Sequence, residues 1–340
     1  MPDLKLNLVF GNHGGKFNPI FDGRVKADGI EFAASRMDID QLFWRIPNKD
    51  DVDVAELSLT GTMWGMQHGK EWTAIPVFPG WVFACHTETL VRADSGIQTA
   101  ADLKGKRVGV PEYPVTAIAW IRHAFETKYG VRPQDINWFE ERSADYSHYR
   151  PLGYAPPKDV PVQIIPKDKR LCDMLIAGEI DAVTRYFGRA ENATKGHPGD
   201  RSPMSITELG AHPKVRWLYP DRKAAAIQYQ KEIGYLQPIH CVIVKSAVVE
   251  KNPWVPARLV EAFGRAAAMT TDADQVRPAS YRLTKEEQAA TIDPSFSPAG
   301  LKGNRKAVAK MFELCWQQGY IDRGRPFTVE EFFHPSTLGS

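Results

Sequence analysis

Hydrophobic and polar residues alternate from the start of the chain. Leu4, Leu6, Leu8 and Phe10 are separated by polar or small residues, and this period of two predicts a strand over residues 4–10. The elements predicted next are a strand, a helix and another strand, at residues 29–32, 40–46 and 52–57. These four elements form one α/β unit.

The predicted helix at 40–46 has a clear start and end. The run Asp38-Ile39-Asp40 supplies its N-cap, Leu42, Phe43 and Ile46 form its apolar stripe, and Pro47 is expected to end it.

The same order of elements recurs in the middle of the chain. The predicted strands and helices there lie at residues 107–110, 114–128, 136–139, 171–177 and 180–183. Two similar α/β units in one chain imply two lobes with a cleft between them, and small molecules bind in such clefts.

Strands at 81–86 and 239–244 are predicted to carry the chain between the lobes. The predicted first lobe therefore combines residues 1–88 and 241–340, and the second comprises residues 89–240, with crossing strands near 81–88 and 239–245. Further helices are expected at 252–268 and around 305–318.

The junction before the helix at 114–128 is a candidate anion site. Pro114 suits the first helical position, because its missing N–H needs no partner there. The exposed N–H groups and the dipole of that helix favour a carboxylate beside Glu112, Tyr113 and Thr116.

Three irregular segments complete the pattern. The glycine-rich run at 11–15 contains His13 and follows the first strand, on the side where ligands bind in open α/β sheets. Residues 143–161 are rich in Tyr, Pro and polar residues and are expected to lie on the surface. Residues 189–205 form a long loop, and loops of that length are often functional.

Composition excludes several classes of protein. The chain has 340 residues, is 43% hydrophobic and carries a formal net charge of only +2, which gives no electrostatic case for a nucleic-acid partner. No apolar run approaches the ~18 residues that span a bilayer. The first residues lack the basic and apolar regions of a secretion signal, so we expect a cytoplasmic protein. The four cysteines are scattered and predict neither disulfides nor a metal motif.

The two-lobed order resembles that of type II periplasmic binding proteins. Within that group, five segments resemble the 4,5-dihydroxyphthalate decarboxylase family, at residues 21–25, 53–59, 74–79, 102–113 and 173–182. The runs Glu56-Leu57-Ser58 and Gly109-Val110-Pro111-Glu112-Tyr113 are the more specific part of this resemblance. With residues 238–254, the similar stretches span most of residues 4–265.

The chain also departs from that family. Typical members carry a basic run after the segment that ends at Pro79, whereas residues 80–86 contain no Arg. Residues 183–189 also differ from the shorter, proline-containing pattern of the family. A dicarboxylate substrate needs two positive sites, and the position of one of them is therefore open.

The resemblance implies an α/β, type II periplasmic-binding-protein-like fold and a decarboxylase of a hydroxylated aromatic carboxylic acid. That reaction needs a proton donor for the ring carbon that bears the carboxylate. The candidates are Glu56 at a strand end, His240 on the return strand and His13 in the glycine-rich loop. Each is also compatible with a purely structural role.

Substrate-binding candidates share a place at strand ends or at the helix start. They are Ser58, Thr60, Trp81, Glu112, Tyr113, Thr116, Arg185 and Arg189. Capping, packing or surface exposure would equally explain these residue types. The geometric hypothesis is that Glu56, the helix start at Pro114 and His240 meet in one hollow.

No cofactor motif supports another chemistry. The chain lacks GxGxxG, a P-loop and GxSxG. Cys85-His86 and His240-Cys241 would offer zinc ligands if their strands were adjacent, but neighbouring strand residues face opposite ways, so we predict no metal site there. The expected enzyme needs no cofactor, and assistance by a divalent metal is an alternative that no motif supports.

The alternative function is a non-catalytic solute-binding protein for a small aromatic or other carboxylate, because fold does not fix function. A third reading is an enzyme of thiamine-pyrimidine synthesis, but its histidine- and cysteine-rich motif is absent. The expected partner is a small aromatic carboxylate, with neither nucleic acid nor membrane. The long C-terminal segment would allow a homodimer.

Overall fold

The structure is a computed structural model that describes residues 3–12, 15, 17–49, 51–185, 199, 201–270 and 283–340. His13, Arg189 and most of the loop predicted at 189–205 lie outside the described residues. No described helix is both long enough and apolar enough to cross a bilayer.

The described strands fall into two large sheets and one short ribbon. They are β1 (Leu4–Gly11), β2 (Ile30–Met37), β3 (Val54–Ser58), β4 (Trp72–Ile75), β5 (Trp81–Val82), β6 (Thr89–Arg92), β7 (Arg107–Val110), β8 (Asn137–Glu140), β9 (Val162–Ile164), β10 (Ala182–Thr184), β11 (Val215–Trp217), β12 (Gln237–Pro238) and β13 (His240–Lys245).

The described helices pack around these sheets. They are α1 (Asn18–Phe21), α2 (Ile39–Asn48), α3 (Leu59–Gln67), α4 (Thr116–Tyr129), α5 (Leu171–Ala177), α6 (Ile206–Gly210), α7 (Arg222–Ile233), α8 (Ser246–Lys251), α9 (Val255–Ala268), α10 (Lys285–Thr291), α11 (Arg305–Gln317) and α12 (Val329–Phe332).

The first sheet has the strand order β2-β1-β3-β13-β4. β1 pairs in parallel with β2 and β3, whereas β13 runs antiparallel to β3 and places His240 opposite Ser58. The alternation of Leu6, Leu8 and Phe10 in β1 faces a core that includes Val242 and Phe263. The carboxyl ends of β1 and β3 therefore lie side by side at one edge of this sheet.

The second sheet has the order β11-β6-β10-β7-β8-β9. β7, β8 and β9 are parallel, so the segments after β7 and β8 leave the same edge of the sheet. All its strands come from residues 89–217, and all strands of the first sheet come from residues 4–75 and 240–245. The lobe boundaries themselves stay a prediction.

The crossing between the sheets differs from the expected pair of long strands. β5 covers only Trp81–Val82 and pairs with β12, and a short 3₁₀ helix occupies Cys85–Thr87. Ala84 adopts the left-handed backbone conformation, with φ 48°, and this turn ends the strand predicted at 81–86.

Two predicted helix boundaries also change. α2 continues through Pro47 to Asn48, because a proline in the last turn removes only one backbone donor. α4 begins at Thr116 with Val115 as its N-cap, so Pro114 precedes the helix instead of opening it.

The stretch at 143–161, expected on the surface, contributes to the interior. Tyr149, Leu152, Tyr154 and Val160 are buried in the main hydrophobic core. Two tyrosines and two aliphatic residues make this segment apolar, whereas its prolines suggested an exposed loop.

The C-terminal segment contacts both lobes. The Gln318 side chain donates to the Ala119 carbonyl of α4, and the Tyr320 hydroxyl donates to the Tyr113 carbonyl. On the other side, the His334 backbone N–H donates to the Ala74 carbonyl of β4. The segment after α10 therefore joins the two lobes as well as extending the first one.

Candidate active site

Glu56 and His240 form a direct pair at the carboxyl edge of the first sheet. His240 lies opposite Ser58 in the antiparallel register, and Glu56 is two residues before Ser58, so all three side chains project from one face. His240 Nδ1 lies 2.7 Å from Glu56 Oε1. The second carboxylate oxygen, Oε2, accepts the Gly11 backbone N–H at 3.0 Å. The buried carboxylate thus fixes the tautomer and the orientation of the imidazole.

Two neighbours hold the His240 ring from its sides. The ring of Phe43 in α2 meets it edge-on, with the centroids 4.9 Å apart. Gly80 lies so close that a Cβ there would come within 2.8 Å of His240 Cγ. Only glycine leaves room for the imidazole in this position. The His240 side chain is 13% exposed and that of Glu56 is 1% exposed, so the pair is nearly enclosed.

A chain of buried hydroxyl groups joins the lobes next to this pair. Thr60 Oγ1 donates to the Pro114 carbonyl at 2.8 Å and lies 2.9 Å from Thr116 Oγ1. The Tyr149 hydroxyl donates to Ser58 Oγ at 3.0 Å. Burial raises the pKa of Tyr149 to about 12, so it stays a hydrogen-bond donor. These hydroxyls bind one another across the junction between β3 and α4.

A buried ionic cluster lies on the second lobe. Arg142, just after β8, is 1% exposed and donates from Nη2 to Asp40 Oδ1 of α2 at 2.6 Å. Its Nη1 lies 3.2 Å from His148 Nδ1 and 3.7 Å from Glu112 Oε2. Glu112 also accepts the Ser147 hydroxyl and, at 3.2 Å, the His148 backbone N–H.

Burial raises the pKa of the Glu112 carboxyl to about 7, while the charge of Arg142 acts in the opposite direction. Desolvation is the larger effect, because the side chain is 2% exposed. The carboxyl therefore carries only part of a negative charge near neutral pH.

Phe43 connects the two clusters. Its ring meets His148 edge-on at 5.8 Å between centroids, in addition to its contact with His240. Asp40, Phe43, Glu56 and His240 come from elements of the first sheet and its helices, whereas Glu112, Arg142 and His148 come from segments that follow strands of the second sheet. The candidate site lies at the junction of the lobes.

Arg36 supplies a cation on the first lobe. Its Nη1 donates to the Gly11 carbonyl at 2.8 Å and its Nη2 donates to Asn18 Oδ1 at 2.9 Å. Desolvation lowers the pKa of Arg36, and the nearby charge of Glu56 opposes that shift. Arg36 and Arg142 thus provide positive charge at the site, in positions other than the run after Pro79.

Several sequence-predicted residues meet here. The structure brings together Glu56, Ser58, Thr60, Glu112, Thr116 and His240. The expected convergence of Glu56, the segment at Pro114 and His240 agrees with these contacts. The catalytic and substrate-binding roles of these residues stay predictions.

Three predicted substrate-binding residues make other contacts, and their roles stay predictions. Tyr113 is fully buried, with the Arg122 guanidinium 3.9 Å from its ring centroid, and packs against Trp138. Trp81 meets Phe296 edge-on at 4.9 Å. Arg185 forms an ion pair with Glu88 beside the crossing.

Sequence reasoning missed four residues of the site. They are Asp40, Phe43, Arg142 and His148. One signal would have found Arg142: it follows the carboxyl end of β8, by the rule that selected Glu112 after β7. Asp40 and Phe43 were assigned only to the helix, and His148 was assigned to the expected surface segment.

Among the described residues, no group of three or more His, Cys, Asp or Glu side chains is arranged to hold a metal ion. Cys241 faces away from His240 and its Sγ lies 3.5 Å from Thr62 Oγ1. Burial raises the pKa of the Cys241 and Cys85 thiols to about 12.

Comparisons with known proteins extend this description. No protein-family model matches the chain. A 4,5-dihydroxyphthalate decarboxylase of Comamonas testosteroni is 30% identical over 347 residues, which cover 100% of this chain and 99% of the relative. A 4,5-dihydroxyphthalate decarboxylase of Pseudomonas putida is 34% identical over 242 residues, which cover 71% of this chain and 87% of the relative.

The fold is similar to that of solved binding proteins. The periplasmic aliphatic sulphonate-binding protein of Escherichia coli superposes with a TM-score of 0.54 at 12% identity, covering 100% of both chains. The alkanesulfonate-binding protein of Xanthomonas axonopodis pv. citri, bound to MOPS, gives a TM-score of 0.50 at 12% identity, covering 99% of this chain and 98% of that chain. These similarities establish a periplasmic-binding-protein-like fold.

Proposed function

The chain belongs to the 4,5-dihydroxyphthalate decarboxylase family, and on this premise we propose how its interlobe site releases CO₂. The enzyme is a carbon–carbon lyase that decarboxylates a hydroxylated aromatic carboxylic acid. The contact that carries the mechanistic proposal is the 2.7 Å pair between Glu56 and His240.

The reaction replaces a carboxylate by a proton. A ring π electron pair forms a C–H bond at the carbon that bears the carboxylate. The C–C bond then breaks, its electron pair restores the aromatic ring, and neutral CO₂ leaves. Ring hydroxyl groups donate electron density and make protonation of the ring easier. The protein must therefore supply one proton at a fixed place and hold the carboxylate out of the ring plane.

His240 is the proposed proton donor. Its Nδ1 is engaged with Glu56, so Nε2 is the ring nitrogen that we assign to proton transfer. Glu56 is a positioning residue: it accepts the Nδ1 proton, stabilises the imidazolium before transfer and is itself held by the Gly11 N–H. After transfer the neutral imidazole regains a proton from solvent.

For the hydroxyl chain the contacts support a positioning role. Ser58, Thr60, Thr116 and Tyr149 bind one another across the lobes, and we assign them to holding the two halves of the site in register. Substrate contacts by these hydroxyls are not needed for the mechanism.

Purified protein incubated with 4,5-dihydroxyphthalate and related hydroxybenzoates tests the proposal. We expect CO₂ release, with one deuterium at the former carboxylate position when the solvent is D₂O. His240→Gln should lower kcat by about 10²- to 10⁴-fold, the usual contribution of a general acid. The matched control is His212→Gln, a histidine of the second lobe whose Nδ1 accepts the Lys214 backbone N–H.

Two results would contradict the mechanism. Binding of these acids without any CO₂ release would favour a solute-binding protein. Full activity of His240→Gln would exclude His240 as the donor. The cytoplasmic location and a homodimer stay predictions, for which cell fractionation and sedimentation velocity are the measurements.

A further inference from the structure

Lobe 2 presents a hydrogen-bonded guanidinium and a nearby imidazole to one buried carboxylate. Arg142 Nη2 binds Asp40 Oδ1 at 2.6 Å. Since Arg142 Nη1 is a donor, His148 Nδ1 accepts from it at 3.2 Å, and the ring proton of His148 is on Nε2. That Nε2 lies 3.9 Å from the same Asp40 oxygen. A guanidinium and an imidazole N–H around one oxygen are the groups that a protein uses to receive a carboxylate.

The two sides of this contact belong to different parts of the fold. Asp40 lies in the first turn of α2, on the first sheet. Arg142 is fixed to the second lobe, because its backbone N–H donates to the Pro111 carbonyl at 3.0 Å. His148 is fixed there too, through its N–H to Glu112. Any opening of the lobes withdraws Asp40 and leaves Arg142 and His148 together.

The contact also lies beside the proposed chemistry. Phe43, one helical turn after Asp40, touches both His148 and His240. The Phe43 ring therefore contacts both the proposed proton donor and the histidine that accepts from Arg142.

On these grounds, and resting on the proposed function, we propose that Arg142 binds a carboxylate of the substrate and that Asp40 competes for the same guanidinium. Substrate binding then exchanges an internal carboxylate for an external one. Arg142 is paired with one carboxylate both before and after this exchange. The raised pKa of Glu112 supports this arrangement, since a Glu112 carboxyl that is partly protonated competes less for Arg142 than an ionised one would.

The test measures the binding of phthalate, a dicarboxylate without ring hydroxyls, by isothermal titration calorimetry. Asp40→Asn should tighten phthalate binding roughly 10-fold or more, because the competing charge is removed. Arg142→Gln should weaken it roughly 10- to 100-fold, and Arg142→Lys should fall between wild type and Arg142→Gln. The control is Arg45→Gln. Arg45 lies on the same helix as Asp40 and forms a half-exposed ion pair with Asp51, so its loss should leave the Kd for phthalate unchanged.

Competition predicts opposite changes in phthalate affinity for Asp40→Asn and Arg142→Gln, whereas a purely structural ion pair does not. If the pair only stabilises the fold, Asp40→Asn and Arg142→Gln both weaken binding or leave it unchanged, and the inference is wrong. Thermal unfolding of each variant identifies those that do not fold. Should Arg142→Gln fail to fold, Asp40→Asn and Arg142→Lys still decide the question.

CO₂ release is measured separately, so the two proposals fail separately. Tighter phthalate binding by Asp40→Asn in a protein that releases no CO₂ would keep the carboxylate exchange and reject the decarboxylase mechanism. Normal CO₂ release by wild type together with unchanged or weaker binding by Asp40→Asn would reject the exchange alone.

Discussion

Replacing Glu56 by glutamine tests whether the proposed proton donor depends on a buried negative charge. Glutamine keeps the size of the side chain and an oxygen acceptor for the Gly11 N–H, but it removes the charge that faces His240 Nδ1 at 2.7 Å. A hydrogen bond to a charged group contributes about 1.5–3 kcal/mol, and each 1.4 kcal/mol corresponds to about a factor of ten. Glu56→Gln should therefore lower kcat by roughly 10- to 100-fold.

The position of Glu56 also predicts which kinetic constant changes. Because Glu56 acts through His240, KM should stay within about twofold of wild type while kcat falls. The double variant with His240→Gln should be no slower than His240→Gln alone, since Glu56 has nothing left to orient. Glu31→Gln, an exposed carboxylate on the same sheet paired with Lys5, is the control.

The assay is steady-state CO₂ release, with the thermal midpoint of each variant as a check on folding. An unchanged kcat in Glu56→Gln would refute the positioning role. So would losses in kcat that multiply in the double variant, because independent effects mean that the two residues do not act as a unit.

Further expectations concern the ring position, pH and the hydroxyl chain. Gly80→Ala places a methyl group in the space of the His240 ring and should lower kcat roughly 10- to 100-fold, whereas Gly264→Ala, which meets no atom within 4 Å, should leave kcat as in wild type. The pKa of Glu112 is raised from 4.5 to about 7, so the native state holds a proton that the unfolded chain releases. The free energy of unfolding must then decline as the pH rises from about 4.5 through 7. Measured by urea unfolding, it should be higher at about pH 5 than at about pH 8, and Glu112→Gln should remove about 2 to 3 kcal/mol of that difference. Tyr149→Phe leaves two buried hydroxyls short of a partner and should cost about 1–3 kcal/mol of unfolding free energy; a wild-type value would contradict a linking role for the Tyr149 hydroxyl.

Much of the fold follows from local pattern. The alternation in residues 4–10 and the apolar run at 107–110 gave strands close to the observed β1 and β7, and the helix at 171–177 matches α5. The predicted element boundaries that were wrong lie at turns. Neither the left-handed Ala84 nor the start of α4 at Thr116 has a strong signal in neighbouring residues.

The candidate site was also predicted only in part. Glu56 and His240 were found because each lies at the edge of a predicted strand near the junction of the lobes. The pair of Asp40 and Arg142 was not found, because 102 residues separate them and their contact depends on how the lobes pack. Tyr113 shows that adjacency in sequence does not fix the direction of a side chain. It follows Glu112 directly, yet its ring packs in the core against Arg122.

The charges at the junction connect substrate binding to CO₂ release. Arg36 and Arg142 are two cations near the candidate site, and each already faces a carboxylate, Glu56 or Asp40. A dicarboxylate that enters therefore adds negative charge to a region from which water is largely excluded, and such charge is costly there. Exchange at Asp40 relieves one part of that cost and the imidazolium of His240 another. Loss of neutral CO₂ removes one of the added charges, so the arrangement that limits binding also favours the proposed reaction over simple retention of the acid.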